Sequence, residues 1–559
     1  MRVPIAGEVF LRSLAEHGVD FFFANPGTDF PPIVEAFSRG RDSNRKLPRP
    51  VLVPHENLAV AMAHGAYLMT GRPQAVMVHV NVGTGNTINN LINLSRDRVP
   101  LLLAAGRTPV TEKGSFGSRS RPIHWAQEMF DQAGMLREIV KWDYELRVPG
   151  QIGDVVARAY EAAMTSPRGP VYLVLPREPL SANVADGAAA TPRALAAAPH
   201  PDPAAIATLA KWIATAERPL IVTGNAGADA VAPLARIAAR CAVPVVTHNP
   251  RTIGVPSSHA MHFGTDPGPL LADADLVIVV ESDVPWIPSL QQPPAGCRVA
   301  HIGEDPAFLR YPMRSFPADL SITAEAATAL DRLEAALAEP DADGDARISA
   351  RRAELAKRNA ARRAKLAEKS APANGRISPE FLSRAIGEAV GEDAIIFNEY
   401  PLQLDHCART KPGTFFGLSP AGGLGWGLGA ALGAKLAAPE RLVVATIGDG
   451  AYLFANPTVC HWVSDAHRIP VLTVIFNNSR YGAVRRATLS MFKDGAAGED
   501  DGRFLADIEA SPAYDALVRA QGGFAERVEA PEELPAALTR ARAVVEDGRQ
   551  ALLNVVCPY

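Results

Sequence analysis

Arg441-Leu442-Val443-Val444-Ala445-Thr446-Ile447-Gly448-Asp449-Gly450 is the stretch on which the fold of this chain turns. Residues 441–447 form an apolar, β-branched run, the pattern of a strand buried on both faces of a parallel sheet. Asp449 then stands at the carboxyl end of a strand, where open α/β sheets bind their ligands. Residues 451–476 separate Gly450 from Asn477-Asn478. They leave room for a helix and a second strand, Val471-Leu472-Thr473-Val474-Ile475-Phe476, with the Asn pair at its tip. Two neighbouring strand tips would thus present a carboxylate and an amide oxygen to one point. That donor set suits Mg²⁺, which takes few protein ligands and completes its octahedron with phosphate oxygens and water. A lone Gly-Asp-Gly is ordinarily a turn and a lone Asn-Asn a loop; this spacing, after these strands, makes the pair a metal–diphosphate site.

At 559 residues the chain is too long for one core and suggests about three domains. A hydrophobic content of 47% and a formal charge of −4 describe a globular protein with no electrostatic case for nucleic-acid or membrane partners. Cys241, Cys297, Cys407, Cys460 and Cys557 are odd in number, scattered and without C-x-x-C spacing. Disulfides and zinc are not expected, which favours a reducing compartment. The first residues, Met1 to Glu8, lead into an amphipathic helix with charges throughout and do not read as a signal peptide. No apolar run approaches a membrane span, and a cytoplasmic location is expected.

Residues 1–182 alternate helical and strand patterns and end in a buried strand, Gly169-Pro170-Val171-Tyr172-Leu173-Val174-Leu175-Pro176. An Ala/Pro-rich stretch, 182–203, reads as a linker. A second α/β unit, 204–340, opens with Arg218-Pro219-Leu220-Ile221-Val222-Thr223-Gly224 and continues through strands at 243–247, 276–280 and 298–302. Residues 341–375 are strongly charged, with Arg351, Arg352, Lys357, Arg358, Arg362, Arg363 and Lys365 among alanines. Without interleaved aromatics they read as a solvated linker helix. The third unit is 376–559. A faint repeat links the outer units. Gly65-Ala66-Tyr67-Leu68 leads through Arg72-Pro73 into the strand Ala75-Val76-Met77-Val78. Gly429-Ala430-Ala431-Leu432 leads through Pro439-Glu440-Arg441 into the strand before Asp449.

The Gly-Asp-Gly…Asn-Asn arrangement resembles the cofactor motif of the thiamine diphosphate (ThDP)-dependent enzymes, and the resemblance runs over essentially the whole chain. It implies three doubly wound parallel-sheet α/β domains: pyrimidine (1–182), middle (204–340) and pyrophosphate (376–559), with 341–375 as linker. It implies Mg²⁺ on the side chains of Asp449 and Asn478 and the carbonyl of Arg480. Gly448, Gly450 and Ala451 would border the diphosphate, and Tyr481-Gly482 would close over it. ThDP supplies the carbon chemistry itself; the protein must bend it, protonate its aminopyrimidine and control water. For the proton the family uses a glutamate at the start of a helix, and Val51-Leu52-Val53-Pro54-His55-Glu56-Asn57 has that form. Glu56 alone could instead be an N-terminal helix carboxylate facing the dipole. In Ala421-Gly422-Gly423-Leu424-Gly425-Trp426-Gly427, Leu424 matches the apolar prop of the bent cofactor and the Gly422 carbonyl its aminopyrimidine partner. This segment lacks G-x-G-x-x-G spacing and a preceding apolar strand, so it is not a dinucleotide fingerprint.

Asn25-Pro26-Gly27-Thr28 and His79-Val80-Asn81-Val82-Gly83-Thr84-Gly85-Asn86 resemble the benzoylformate decarboxylase branch. The resemblance implies that Asn25, Pro26, Gly27 and Asn86 lie at the cofactor, that Thr28 contacts a substrate carboxylate, and that His79 moves protons. A histidine at a strand end is also commonly structural. The second histidine of that branch is missing from the corresponding stretch, Glu281-Ser282-Asp283-Val284-Pro285-Trp286-Ile287-Pro288, and the adjacent histidine pair of pyruvate decarboxylases is missing too. His124-Trp125-Ala126-Gln127-Glu128 is similar instead to the acetolactate synthase pattern, in which a glutamine enters the active site. Yet the stretch 281–288 does not resemble the arginine-bearing FAD segment of that branch. Ala483, Val484 and Ala487 imply a less aromatic pocket than that of benzoylformate decarboxylase.

The expected protein is a ThDP- and Mg²⁺-dependent decarboxylase or carboligase of a small 2-oxo acid or its aldehyde product. It is expected to be a homodimer at least, and a homotetramer by family habit. The alternatives are an acetolactate synthase-like carboligase, a 2-hydroxyacyl or 2-hydroxy ketone lyase without FAD, and a regulatory protein that keeps the fold without catalysis.

Overall fold

The computed structural model describes residues 3–41, 46–185, 192–372 and 375–557. Met1 and Arg2, and residues 186–191 of the expected 182–203 linker, lie outside them. Three wholly parallel sheets follow one another along the chain. The first holds β1 (Phe21–Asn25), β2 (Arg49–Leu52), β3 (Gln74–Val78), β4 (Leu101–Arg107), β5 (Asp143–Glu145) and β6 (Val171–Pro176), in the order β2-β1-β3-β4-β6-β5. The second holds β7 (Pro219–Thr223), β8 (Val245–Thr247), β9 (Leu276–Val280), β10 (Arg298–Gly303) and β11 (Leu320–Thr323), in the order β11-β10-β9-β7-β8. The third holds β12 (Ile395–Glu399), β13 (Phe415–Gly417), β14 (Val443–Gly448), β15 (Leu472–Asn477), β16 (Phe524–Val528) and β17 (Ala551–Val556), in the order β13-β12-β14-β15-β17-β16.

The strand order of the third sheet is that of the first, element for element. The faint sequence repeat is therefore a repeat of topology, in which β3 corresponds to β14 and β1 to β12. In each sheet the winding reverses between two neighbours, β1/β3 and β12/β14, and ligands of such sheets bind at the strand ends beside that reversal. The middle sheet reverses likewise at β7/β9.

The outer domains pack on each other through corresponding helices, Glu56–Thr70 and Trp426–Ala437. Both are Ala/Gly-rich and buried nearly all round. At their crossing a Cβ on Gly65 would lie 1.8 Å from the Ala430 carbonyl oxygen, and one on Gly433 1.9 Å from that of Met62. Only glycine permits that approach. One hydrophobic cluster consequently runs through both domains, from Val53 and Leu58 to Trp426 and Tyr452.

The charged stretch expected as a solvated linker helix forms a helix that is exposed along most of its length. The helix Ala342–Lys369 is docked along one face. Arg351 is buried, donating to the carbonyls of Ala242, Ala216 and Cys241. Asn359 and Arg362 bond the carbonyls of Ala260 and His262. Among the described residues no helix is long and apolar enough to cross a membrane.

Candidate active site

The strand tips of the third sheet meet as their register requires: Gly448 lies opposite Phe476, bringing Asp449 beside the Asn pair. Asp449 opens the helix Asp449–Phe454 and is 2% exposed. Its Oδ1 accepts the Gly450 N–H at 3.0 Å, whereas Oδ2 is buried without a hydrogen-bond partner among the described residues. Burial pushes the carboxyl up to about 6, against the opposing backbone N–H groups of Gly450, Ser479 and Arg480. Asn477 is committed inside the sheet, donating to Asn554 Oδ1 at 2.9 Å and accepting the Ser479 N–H at 3.1 Å. Asn478 is the member left at the tip, its Oδ1 accepting the Arg480 N–H at 3.0 Å. Ser479 (φ 54°) turns the chain so that Arg480 bridges to Asp507, which also pairs with the guanidinium at 3.0 Å. The Arg480 carbonyl accepts one bond, from the Gly482 N–H, and keeps a second lone pair.

The glycines of the motif have different duties. A Cβ on Gly448 would enter open space, while one on Gly450 would lie 2.6 Å from the Tyr481 ring. Gly450 thus leaves room for the ring of Tyr481, which is partly exposed, and Ala451 is buried. Among the described residues no group of three or more His, Cys, Asp or Glu side chains could hold a metal ion. A cation here would rest on Asp449, an amide, a backbone carbonyl and ligand oxygens, and the orphaned Oδ2 is the atom it would satisfy. The residues fit a Mg²⁺–diphosphate group.

The segment carrying Leu424 is gripped from two sides. Asn93 of the first domain donates to the Gly423 carbonyl at 2.7 Å and accepts its N–H at 3.0 Å; Asn89 donates to the Leu424 carbonyl at 2.8 Å. From below, Glu399 at the end of β12 accepts the N–H groups of Gly425 (2.8 Å) and Gly427 (2.6 Å). Burial pushes Glu399 up to about 7, those N–H bonds opposing. Gly422 (φ 71°) makes the turn that presents the half-buried Leu424. Sequence reasoning missed Asn89, Asn93 and Glu399. The asparagines were detectable, since Asn86, Asn89 and Asn93 fall on one helix face; Glu399 carried no such signal.

The first domain supplies the second cluster. Glu56 begins its helix 7% exposed, Oε1 accepting from Asn25 Nδ2 at 2.9 Å and Oε2 from Asn86 Nδ2 at 3.1 Å. His79, at the end of β3, holds Nδ1 2.6 Å from Asp29 Oδ1 and Nε2 3.3 Å from Gln127 Nε2. The bond to Asp29 raises its pKa; burial opposes this, and the charges of Asp29 and Glu56 add to the rise. Thr28 is half-buried, its carbonyl accepting from Arg177 at 3.2 Å, and Pro26 is exposed at the turn. Asp29 and Arg177 were not singled out in the sequence.

The stretch 281–288 is committed to a junction between domains: Glu281 pairs with Arg98, and Asp283 with Arg251 (3.1 Å) and Tyr311 (2.8 Å). The helix Gly482–Met491, bearing Ala483, Val484 and Ala487, buries no residue in the single chain. Within one chain the Glu56 and Asp449 clusters sit on different domains and share no hydrogen bond among the described residues.

The chain matches three family models: the thiamine pyrophosphate enzyme N-terminal TPP binding domain (residues 5–135), central domain (206–333) and C-terminal TPP binding domain (401–555). Among curated proteins it is 29% identical over 495 residues to a benzoylformate decarboxylase of Pseudomonas aeruginosa, covering 84% of this chain and 85% of that protein. It is 25% identical over 555 residues to an acetolactate synthase of Mycobacterium bovis, covering 96% and 86%. Among solved structures, the thiamine diphosphate-dependent 4-hydroxybenzoylformate decarboxylase of Rhodococcus jostii shares the fold with a TM-score of 0.78, at 22% identity over 99% of both chains.

Proposed function

The chain belongs to the thiamine diphosphate-dependent enzymes, and from that premise we propose that it is a Mg²⁺-requiring, benzoylformate decarboxylase-like enzyme of a small 2-oxo acid. ThDP supplies the reactive carbon and the electron sink. Asp449, Asn478 and the Arg480 carbonyl hold Mg²⁺; Gly448, Gly450, Ala451, Tyr481 and Gly482 border the diphosphate. The Gly422 carbonyl and Leu424 hold the ring system, with Asn25, Pro26, Gly27 and Asn86 around Glu56. Glu56, its carboxylate held by two amide donors, would be the group that exchanges a proton with the aminopyrimidine of bound ThDP. Thr28 receives the substrate carboxylate, and His79 exchanges a proton with the substrate's oxygen. The domain limits 1–182, 204–340 and 376–559 belong to the same reading, as do a cytoplasmic location and an assembly of at least two copies.

The observation that carries the decarboxylase reading is His79 at the β1/β3 winding reversal, backed by a buried carboxylate and facing Gln127. The same Gln127 contact favours a second activity, carboligation, because a side-chain amide beside the proton-exchanging group can orient an acceptor carbonyl. The test is carbon dioxide release from a panel of aromatic and aliphatic 2-oxo acids, with and without ThDP and Mg²⁺, and with a competing aldehyde. Release that requires ThDP and Mg²⁺ is expected, with mixed condensation products in the aldehyde arm. No release from any 2-oxo acid would overturn the decarboxylase reading.

A further inference from the structure

Asp29 follows Asn25-Pro26-Gly27-Thr28 directly and is 3% exposed. Both its oxygens are committed: Oδ1 to His79 Nδ1 at 2.6 Å and Oδ2 to the Val80 N–H at 3.2 Å. Val80 is held at φ 32°, a conformation a β-branched residue rarely adopts, and such strain persists only where the surroundings enforce it. Two glycines clear space for the pair. A Cβ on Gly27 would lie 2.2 Å from the His79 ring, and one on Gly106 1.9 Å from Asp29 Oδ2. An aspartate that only capped the helix after β3 would account for the Val80 contact. It would not account for a histidine wedged against Gly27 with its other nitrogen turned to Gln127.

We propose that Asp29 is a positioning residue that accepts Nδ1–H of His79, fixes the tautomer with its lone pair on Nε2, and makes Nε2 the sole point of proton exchange with a 2-oxo acid substrate. This rests on the reading of His79 given above. With the neutral ring so fixed, the Gln127 amide N–H donates to Nε2. A proton taken at Nε2 gives an imidazolium whose charge Asp29 balances; returning that proton to the substrate's oxygen restores the neutral ring, and Asp29 stays ionised throughout. The other charge acting on the ring is Glu56, and Gln127 is uncharged.

The test begins with NMR of the full chain, carrying labelled histidine and no cofactor, the His79 resonances being assigned with His79→Gln. The wild type should show the Nδ1–H tautomer at high pH. Asp29→Asn should mix the tautomers and lower the His79 midpoint by about one pH unit, the carboxylate's charge being gone. In the turnover arm Asp29→Asn should slow carbon dioxide release by about 10²-fold, and Asp29→Glu should recover part of it. On a His79→Gln background Asp29→Asn should cost nothing further, because the two act as one unit. ThDP retention should be unchanged throughout, which reports an intact fold. An unaltered midpoint and tautomer in Asp29→Asn, or an additive loss in the double variant, would overturn the proposal. The NMR arm needs no turnover, so a chain that decarboxylates nothing refutes the proposed function while the midpoint still decides Asp29.

Discussion

Asp449 presents one carboxylate oxygen, Oδ2, that no group among the described residues satisfies, whereas both oxygens of Glu56 are held by asparagine amides. The orphaned Asp449 oxygen is one that a cation beside Asn478 would satisfy, whereas each Glu56 oxygen already accepts from a neutral amide. Asp449→Ala should accordingly abolish ThDP retention, because the diphosphate loses the ion that neutralises it. Calorimetric titration with ThDP and Mg²⁺ checks this, and wild-type affinity would end the metal assignment. Glu56→Gln should still bind ThDP but slow exchange of its C2 proton, followed by NMR, by about 10²–10⁴-fold, since an amide cannot shuttle a proton. Unchanged exchange would assign that work to another group. In the sequence Asp449 stood out by its place after a strand and its spacing from the Asn pair, and Glu56 only through the family resemblance. Asp29 did not stand out. Its partner lies 50 residues away on another strand, and only the β1/β3 pairing brings them together.

The segment Gly422–Gly427 shows why elements were more legible than what braces them. Its glycines announced a tight turn before a helix. The carboxylate beneath it, Glu399, ends a strand that reads from sequence like any other buried strand. Glu399 also ties stability to pH. Its folded value of about 7 lies above the ordinary 4.5. The folded state therefore binds more protons between those limits, and stability is fully present below pH 4.5 and lost as pH rises through 7. Denaturation midpoints of the wild type and Glu399→Gln, measured at pH 5 and pH 8, should diverge. The wild type should lose on the order of 3 kcal/mol relative to the variant across that range. Parallel pH profiles would show that Glu399 does not titrate there. The docked helix Ala342–Lys369 is the complementary lesson. Its composition reads as solvent-exposed, yet Arg351 lies buried because carbonyls at the end of the Val231–Cys241 helix and beyond receive its guanidinium.

At the scale of the molecule, two domains of one topology face each other through matching helices, and each puts its chemistry beside the same winding reversal: His79 after β3, Asp449 after β14. The fold class was legible because parallel-strand runs and the helix–turn–strand repeat are local patterns. The way the outer domains share a core was not, since it depends on glycines at a crossing between helices more than 350 residues apart in sequence. On the proposed reading, Glu56 of one copy and Asp449 of another serve a single ThDP. Co-expressing Glu56→Gln and Asp449→Ala chains with different tags, isolating the mixed assembly and measuring ThDP-dependent carbon dioxide release tests this most directly. A mixed dimer would hold one intact site and one doubly altered site, so activity should return to about half the wild-type value per dimer although each variant alone is inactive. A mixed assembly as inactive as its parents would contradict the account, because it would place Glu56 and Asp449 in a site made by one chain.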